Sequence, residues 1–112
     1  MPNIGDIYTV RIYFQGTSGP YKTRPILIIN TDGVMYTIAE ITSEGPKDPP
    51  TYYDQFKEKI KGWEKYGLDK ESFVKCTNIH NISNARFINH IGSMDENEFE
   101  EIVDKISEAN EN

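Results

Sequence analysis

The dipeptide Asp32-Gly33 stands between two runs of apolar and β-branched residues, and it constrains the fold more than any other short feature. A two-residue hairpin turn needs positive φ angles, which Asp and Gly tolerate. The preceding run, ILII after Pro25, is short enough for a strand buried on both faces, with Pro25 at its first position. The run VMYTIAEIT is then the returning strand, so the sequence predicts an antiparallel hairpin.

Three other segments have strand character. Residues 6–14, DIYTVRIYF, are rich in β-branched and aromatic residues and predict a half-buried strand. The segments FVKC and FINHIG predict two further short strands, the second closed by Gly92, and NIHNISNAR predicts a polar connection between them. The segment QGTSGPYKT after the first strand has the composition of an exposed loop, a kind of segment that often contacts ligands.

Two segments have helical periodicity. After the proline-rich stretch SEGPKDPP, apolar residues recur at helical spacing at Tyr53, Phe56, Ile60 and Trp63. Gly67 predicts the end of this inserted helix. Ser93 and Glu96 have the spacing of a capping box before an amphipathic run, which predicts a C-terminal helix.

These elements together favour a mainly β (α+β) fold. Short strands without regular β–α alternation indicate a small antiparallel β-barrel with an inserted helix and a C-terminal helix. A chain of 112 residues fits a single domain spanning residues 1–112. No apolar run approaches the roughly 20 residues of a membrane-spanning helix, and MPNIGDIYTV does not resemble a secretion signal, so we expect a cytoplasmic protein.

The charge is unevenly distributed. The formal net charge is -6, which at first sight disfavours a nucleic-acid partner. From Ser93 onward eight acidic residues stand against Lys105 alone, so this tail carries -7 and residues 1–92 carry +1. A local basic surface is therefore compatible with the composition. The single cysteine, Cys76, fits a reducing compartment and is predicted to be a small buried residue.

Familiar catalytic and metal-binding motifs are absent from the sequence. There is no Gly-rich phosphate loop, HExxH, GxSxG or Cys/His cluster with zinc spacing, and we expect no cofactor and no metal. Of the two histidines, His80 is the better candidate for acid–base work than His90, because its neighbours are polar; a structural role fits either. The acidic residues of the last helix are predicted to form a solvated face and not a metal site.

Arg24 lies between the predicted loop and the apolar strand. A guanidinium fixed there can bind a phosphate through two hydrogen bonds at once. An arginine that only improves solubility fits the position equally well. The residue alone does not decide between the two.

The chain resembles the MazF/PemK toxin family over most of its length, from Gly5 to about Ile106. The matching features follow in order: GDI, a Gly-rich loop, KTRPILIIN, AEITS, GLDKESFVKCTNI, RFINHIG and an acidic terminal helix. The resemblance is most specific in the order in which KTRPILI, ITS, VKC and IGS follow one another. The segment around Phe56 to Trp63 resembles an insertion found in a subset of PemK-like toxins.

The resemblance implies an SH3-like barrel that forms a two-fold dimer and acts as an endoribonuclease on single-stranded RNA at short sequence motifs. In the family an arginine of an Arg-Pro pair and a threonine at a strand end flank the scissile phosphate. They correspond here to Arg24 and Thr42, with Ser43 beside the threonine. Attack by the adjacent 2′-hydroxyl then gives a 2′,3′-cyclic phosphate and a 5′-hydroxyl, without a metal.

The resemblance also implies RNA contacts and a protein partner. The loop residues expected to contact RNA are Gln15, Thr17, Ser18, Tyr21 and Lys22. Asn78 and His80 fall where the family has RNA-facing polar residues, although many members have arginine in place of His80. A cognate antitoxin is expected to occupy the RNA groove.

Two hypotheses remain open from the sequence. A barrel of this family that has lost cleavage would serve as a nucleic-acid- or protein-binding regulatory module. We expect a homodimer in either case, because the family match extends across the barrel and four apolar residues offer more apolar surface than one small barrel easily covers: Ile88, Ile91, Phe99 and Ile106.

Overall fold

The computed structural model describes residues 2–13 and 19–111, which form one antiparallel sheet and one α-helix. The strands are β1 (Asp6–Tyr13), β2 (Tyr21–Thr31), β3 (Met35–Thr42), β4 (Lys57–Lys59), β5 (Phe73–Ser83) and β6 (Phe87–Ser93), and the helix is α1 (Glu96–Ala109). Short 3-10 helices span Tyr52–Phe56 and Asn84–Arg86. The strand order β4-β5-β3-β2-β1-β6 leaves β4 and β6 as edges, so the described sheet is barrel-like but not closed.

The hairpin between β2 and β3 is confirmed. Gly33 has a φ of 94°, and the Asp32 carboxylate accepts hydrogen bonds from the backbone N–H groups of Val34 and Met35 at 2.9 and 2.8 Å. The prediction that β2 begins at Pro25 is wrong, because the strand begins at Tyr21 and includes residues assigned to the loop. Pro25 is tolerated within β2 since it precedes the first pairing with β3, and its missing N–H therefore removes no bond on that side.

Both faces of the sheet are covered by apolar side chains. Leu27 contributes to a core against α1 and residues 60–68, whereas Ile26 and Ile28 contribute to a second core on the other face. The expectation of a strand buried on both faces is thus confirmed. Cys76 is 2% exposed in the first core, and burial raises the pKa of its thiol to about 11. Among the described residues, no helix has the length and apolar character needed to span a membrane.

The prediction of a long inserted helix is wrong. A 3-10 helix of five residues, Tyr52–Phe56, is followed by β4, whose residues pair with Lys75 to Phe73 of β5. Turns then lead to Gly67, where Leu68 N–H donates to the Trp63 carbonyl at 3.0 Å. Gly67 has a φ of 92°, the backbone conformation expected of a glycine at a helix end, but it ends a series of turns and not the predicted helix. Pairing with β5 overrides the weak local preference for helix.

Two further boundary predictions are corrected. Strand β5 continues to Ser83, so most of the expected polar connection is strand, with Ile79 and Ile82 packed against opposite cores. The capping box is also wrong, because Ser93 belongs to β6 and its hydroxyl donates to the Asp6 carboxylate at 2.7 Å. Asp95 occupies the N-cap position of α1.

Candidate functional site

Arg24 and Thr42 lie close together on two adjacent strands. Arg24 is the fourth residue of β2, and Thr42 is the last residue of β3. The ladder between these strands ends at the pair Ile26–Glu40, and each of the two residues lies two positions beyond that pair. Since side chains two apart in a strand share a face, Arg24 and Thr42 are both on the face of that pair.

The two side chains line one depression of about 320 Å³, here called the Arg24 depression. Its wall also includes Ser43, Lys70 and Lys75. The structure thus brings together the three residues that the sequence assigned to catalysis. Arg24 and Ser43 are exposed and Thr42 is half-buried, so a ligand in the depression can reach all three.

Thr42 is held by the turn that follows β3. Its hydroxyl oxygen accepts a hydrogen bond from the backbone N–H of Glu44 at 3.0 Å. A hydroxyl has one proton to donate besides its acceptor lone pairs. The bond to Glu44 therefore orients the side chain and leaves the O–H available to a ligand oxygen.

The depression is more basic than the chain as a whole. Three cations, Arg24, Lys70 and Lys75, line it together with the carboxylates Glu44 and Asp69. The local balance is positive although the formal net charge of the protein is -6. A phosphate group is compatible with this lining.

Asn78 and His80 belong to a neighbouring polar network and do not line the Arg24 depression. His80 Nε2 lies 2.7 Å from Glu40 Oε2, and Asn78 Nδ2 donates to the same oxygen at 3.5 Å. Glu40 was not predicted as a site residue. The signal available in the sequence was a carboxylate within an otherwise apolar strand, two residues before Thr42.

Of the remaining predicted RNA contacts, Tyr21 and Lys22 do not line the Arg24 depression. Tyr21 is 51% exposed on β2, its ring lies 5.4 Å from that of Tyr13, and the Arg11 guanidinium lies 5.7 Å from its centroid. Lys22 follows it on β2. Gln15, Thr17 and Ser18 lie outside the described residues.

His90, the other histidine, does not line the Arg24 depression. His90 Nε2 lies 3.7 Å from Asp6 Oδ1, whose carboxylate also accepts the Asn3 N–H and the Ser93 hydroxyl. Within residues 2–13 and 19–111, no three His, Cys, Asp or Glu side chains are grouped as a metal site.

Comparison with solved structures shows the fold. A Mycobacterium tuberculosis toxin, MazF-mt6, has a TM-score of 0.67 at 19% identity, covering 93% of this chain and 94% of that chain. The MazE-MazF structure from Deinococcus radiodurans gives a TM-score of 0.70 at 14% identity, covering 96% and 94%. A mycobacterial endoribonuclease in complex with its cognate antitoxin gives 0.66 at 13% identity, covering 96% and 91%.

Comparison with curated proteins found no match to the sequence. The sequence does match a family profile, described as PemK-like, MazF-like toxin of type II toxin-antitoxin system, over residues 3–109. The match spans all the strands and the helix described above. The chain therefore belongs to the PemK-like, MazF-like toxins of type II toxin-antitoxin systems.

Proposed function

We propose that this protein is an endoribonuclease toxin that cuts single-stranded RNA at the Arg24 depression. The observation that carries the proposal is the convergence of Arg24, Thr42 and Ser43 on one basic depression, in a chain of the toxin family. Structural relatives named as an endoribonuclease and as MazF toxins support the same activity.

The proposed reaction uses the RNA's own nucleophile. The 2′-oxygen forms a bond to phosphorus as the bond to the 5′-oxygen breaks; the 2′-hydroxyl loses a proton and the 5′-oxygen gains one. The products are a 2′,3′-cyclic phosphate and a 5′-hydroxyl. The protein must hold the phosphodiester in line and stabilise the charge that builds on its oxygens.

Arg24 and Thr42 suit these two tasks. The planar guanidinium can donate two parallel hydrogen bonds to phosphate oxygens, and the Thr42 hydroxyl can donate a third. Ser43 offers another hydroxyl beside it. Since the cations of the depression supply the charge stabilisation, we propose that cleavage proceeds without a metal ion.

We propose that RNA also contacts the polar groups around the depression. Asn78 and His80, joined through Glu40, would face the RNA on one side. Tyr21 and Lys22, with Gln15, Thr17 and Ser18 of the preceding segment, would contact it on the other. Aromatic and cationic side chains together are typical of single-strand binding.

An antitoxin and a second copy of the chain complete the proposal. Relatives solved as a MazE-MazF complex and as an endoribonuclease with its cognate antitoxin support a protein inhibitor. We propose that such an antitoxin occupies the RNA groove, and that the toxin is a homodimer whose two copies form that groove.

Incubation of the purified chain with a long RNA in EDTA, followed by mapping of the cut ends, tests the proposal. We expect cuts at a short motif, with cyclic phosphate and 5′-hydroxyl ends. Loss of cutting in EDTA with rescue by Mg²⁺ alone would contradict the metal-independent mechanism. RNA binding without cutting in either buffer would favour the regulatory module instead.

A further inference from the structure

A second pocket, here called the Tyr53 pocket, opens beside the Arg24 depression. Its volume is about 390 Å³, within the range of roughly 300–1,000 Å³ common for ligand sites. The side chains that matter here are Lys47, Tyr53, Phe56, Lys57, Lys75 and Asn78. Glu44 and Lys75 line both cavities, so the pocket and the depression are contiguous.

The aromatic side of the pocket offers accessible ring surface. Tyr53 is 68% exposed, and Phe56, which also lines the pocket, is half-buried. Large aromatic side chains are usually buried when they serve only the fold. An exposed ring in a pocket is a surface on which an unpaired base can stack.

Two lysines lie side by side on the basic side of the pocket, and one of them forms no ion pair with a carboxylate of the described residues. Lys57 of β4 and Lys75 of β5 are direct cross-strand partners, an arrangement that repels unless an anion lies nearby. The Lys57 ammonium lies 3.1 Å from the Asp54 carboxylate. Among the described residues, Lys75 has no such carboxylate, and it stands at the junction with the Arg24 depression.

The segment that forms the pocket wall is fixed in place. The buried Asp54 carboxylate accepts hydrogen bonds from the backbone N–H groups of Lys47 and Thr51 at 2.9 and 2.7 Å. These bonds hold residues 47–54 together, and the ion pair between Asp54 and Lys57 connects them to the start of β4. The pocket therefore exists before any ligand arrives, which reduces the entropy cost of binding.

We propose that the Tyr53 pocket is a nucleotide subsite for an unpaired RNA residue next to the scissile phosphodiester. The base lies against Tyr53, and Lys75 holds the phosphate that links this nucleotide to the one in the Arg24 depression. The inference rests on the proposed RNA cleavage. RNA is the occupant that fits best, because ring surface and lysines share one pocket that runs into the cleavage site.

A chemical double-mutant cycle tests the subsite. The probe is an RNA oligonucleotide whose scissile nucleotide lacks the 2′-hydroxyl and so resists cutting, with one base removed at each position in turn. Affinity is measured by fluorescence anisotropy. We expect Tyr53→Ala to weaken binding by about 5- to 150-fold. In the wild type, removal of the base at one position should weaken binding by the same factor. In Tyr53→Ala, removal of that same base should have no further effect on affinity.

Tyr53→Phe is the matched control for the stacking interaction, because phenylalanine keeps the ring and removes only the hydroxyl group. Tyr52→Ala is unsuitable, since the Tyr52 ring packs against the rings of Tyr53 and Phe56 at centroid distances of 5.2 and 5.5 Å. We expect the affinity of Tyr53→Phe for the same RNA to stay near that of the wild type. An equal loss in Tyr53→Phe and Tyr53→Ala, or the absence of any abasic position coupled to Tyr53, would overturn the proposal.

The contact with Lys75 predicts a change in salt dependence. Lys75→Gln should reduce the slope of log affinity against log salt by about 0.7, the value for one phosphate of a single strand. Lys59→Gln is the control, since Lys59 Nζ pairs with Glu71 at 3.5 Å and does not line the pocket. An unchanged slope in Lys75→Gln would contradict the phosphate contact.

Two results separate the subsite from the proposed function. If the wild-type chain cuts no RNA, the proposed function itself fails. If it cuts RNA and depends on Arg24, while the Tyr53 and Lys75 variants match their controls, only the subsite fails. A Tyr53→Ala variant that loses affinity for an antitoxin peptide but not for RNA would likewise overturn the subsite, since the occupant is then a peptide.

Discussion

Arg24 and Thr42 illustrate how two neighbouring strands can hold functional side chains on one face of a sheet. Each residue lies two positions beyond the Ile26–Glu40 pair, so the sheet holds both side chains on one face without a dedicated loop. The turn at Glu44 then fixes the Thr42 hydroxyl through a hydrogen bond of 3.0 Å. Donors held in this way need little reorganisation when charge develops on a bound phosphate.

Thr42→Val tests the contribution of the hydroxyl. Valine keeps the shape but removes the donor, and a neutral donor is about half as strong as a charged one, so we expect a loss of about tenfold or more in RNA cleavage. Thr37→Val, at the other end of β3, also loses a side-chain hydrogen bond, to Asn81 at 2.7 Å. Cleavage assays in which both variants lose equal activity would contradict a specific role for Thr42.

Arg24 and Thr42 were assigned through the resemblance to the toxin family and not through a local pattern. Arg24 is the fourth residue of β2 and Thr42 is the last residue of β3, and the structure brings them together. Glu40 was missed because its significance depends on cross-strand neighbours: it meets His80, forty residues away, only when β3 pairs with β5. Pairings of that kind do not appear in any local window of sequence.

At the scale of elements, the inserted segment is where the spacing of apolar residues predicted the wrong secondary structure. Apolar residues recur at helical spacing from Tyr53 to Trp63, yet Phe56 reaches the core from a 3-10 helix and Ile60 from the position directly after β4. The backbone of residues 57–59 forms ladder pairs with β5 instead of helical bonds. The hairpin at Asp32-Gly33 was predicted correctly because its signal is local, and Gly33 has a φ of 94°. The predicted two-residue turn is wrong, because residues 32–34 separate the strands and Asp32 does not have a positive φ.

The stability of the inserted segment depends on pH through the Asp54 carboxylate. Hydrogen bonds from the backbone N–H groups of Lys47 and Thr51, together with the Lys57 ammonium, hold the pKa of this carboxyl well below its usual range. Its stabilising effect is therefore complete above the unfolded-state pKa of about 3.9 and is lost as the pH falls through the lower folded-state pKa.

We expect Asp54→Asn to lower the free energy of unfolding at neutral pH and to weaken its decrease below about pH 4. Denaturant titrations between pH 7 and pH 3 measure both effects. Asp104→Asn, at an exposed position of α1, controls for the change in net charge. Equal acid dependence in the two variants would show that Asp54 does not anchor the segment.

Strand β6 packs against the inserted segment at Gly92. A Cβ atom there would lie 1.9 Å from the Tyr66 carbonyl oxygen, and backbone cannot move aside as a flexible side chain can. We expect Gly92→Ala to lower the free energy of unfolding by about 3 kcal/mol. Gly33→Ala, where φ is 94° and no atom lies within 4 Å, should cost only about 1–2 kcal/mol. A smaller loss for Gly92→Ala than for Gly33→Ala in denaturant titrations would contradict this contact.

At the scale of the whole molecule, the apolar surface expected to drive dimerisation is largely internal. Ile106 is 8% exposed, and Ile91 and Phe99 pack against the core beside α1. Of the four residues named for the interface, only Ile88, 42% exposed, is an exposed hydrophobic residue. Counting apolar residues in the sequence overestimated the free surface because it could not show how much α1 covers.

The homodimer stays a prediction that rests on the family resemblance. Light scattering on the purified chain should give twice the monomer mass of 12.9 kDa. Because a shared RNA groove needs both copies, RNA cleavage should fall in proportion to the dimer as the protein is diluted. A monomer that persists at high micromolar concentration and still cuts RNA would contradict the shared groove.

The cleavage rate of Arg24→Ala tests the central claim most directly. Loss of one preorganised donor to developing charge typically costs about 10²–10³ in rate, and the substitution of an exposed residue should change stability by only about 0.5 kcal/mol. Arg24→Lys should be almost as inactive, since an ammonium lacks the planar two-point contact. Arg86→Ala, at an arginine whose guanidinium lies 5.2 Å from the Tyr13 ring, should retain activity. If Arg24→Ala folds and still cuts RNA within about threefold of the wild-type rate, the assignment of the active site is wrong.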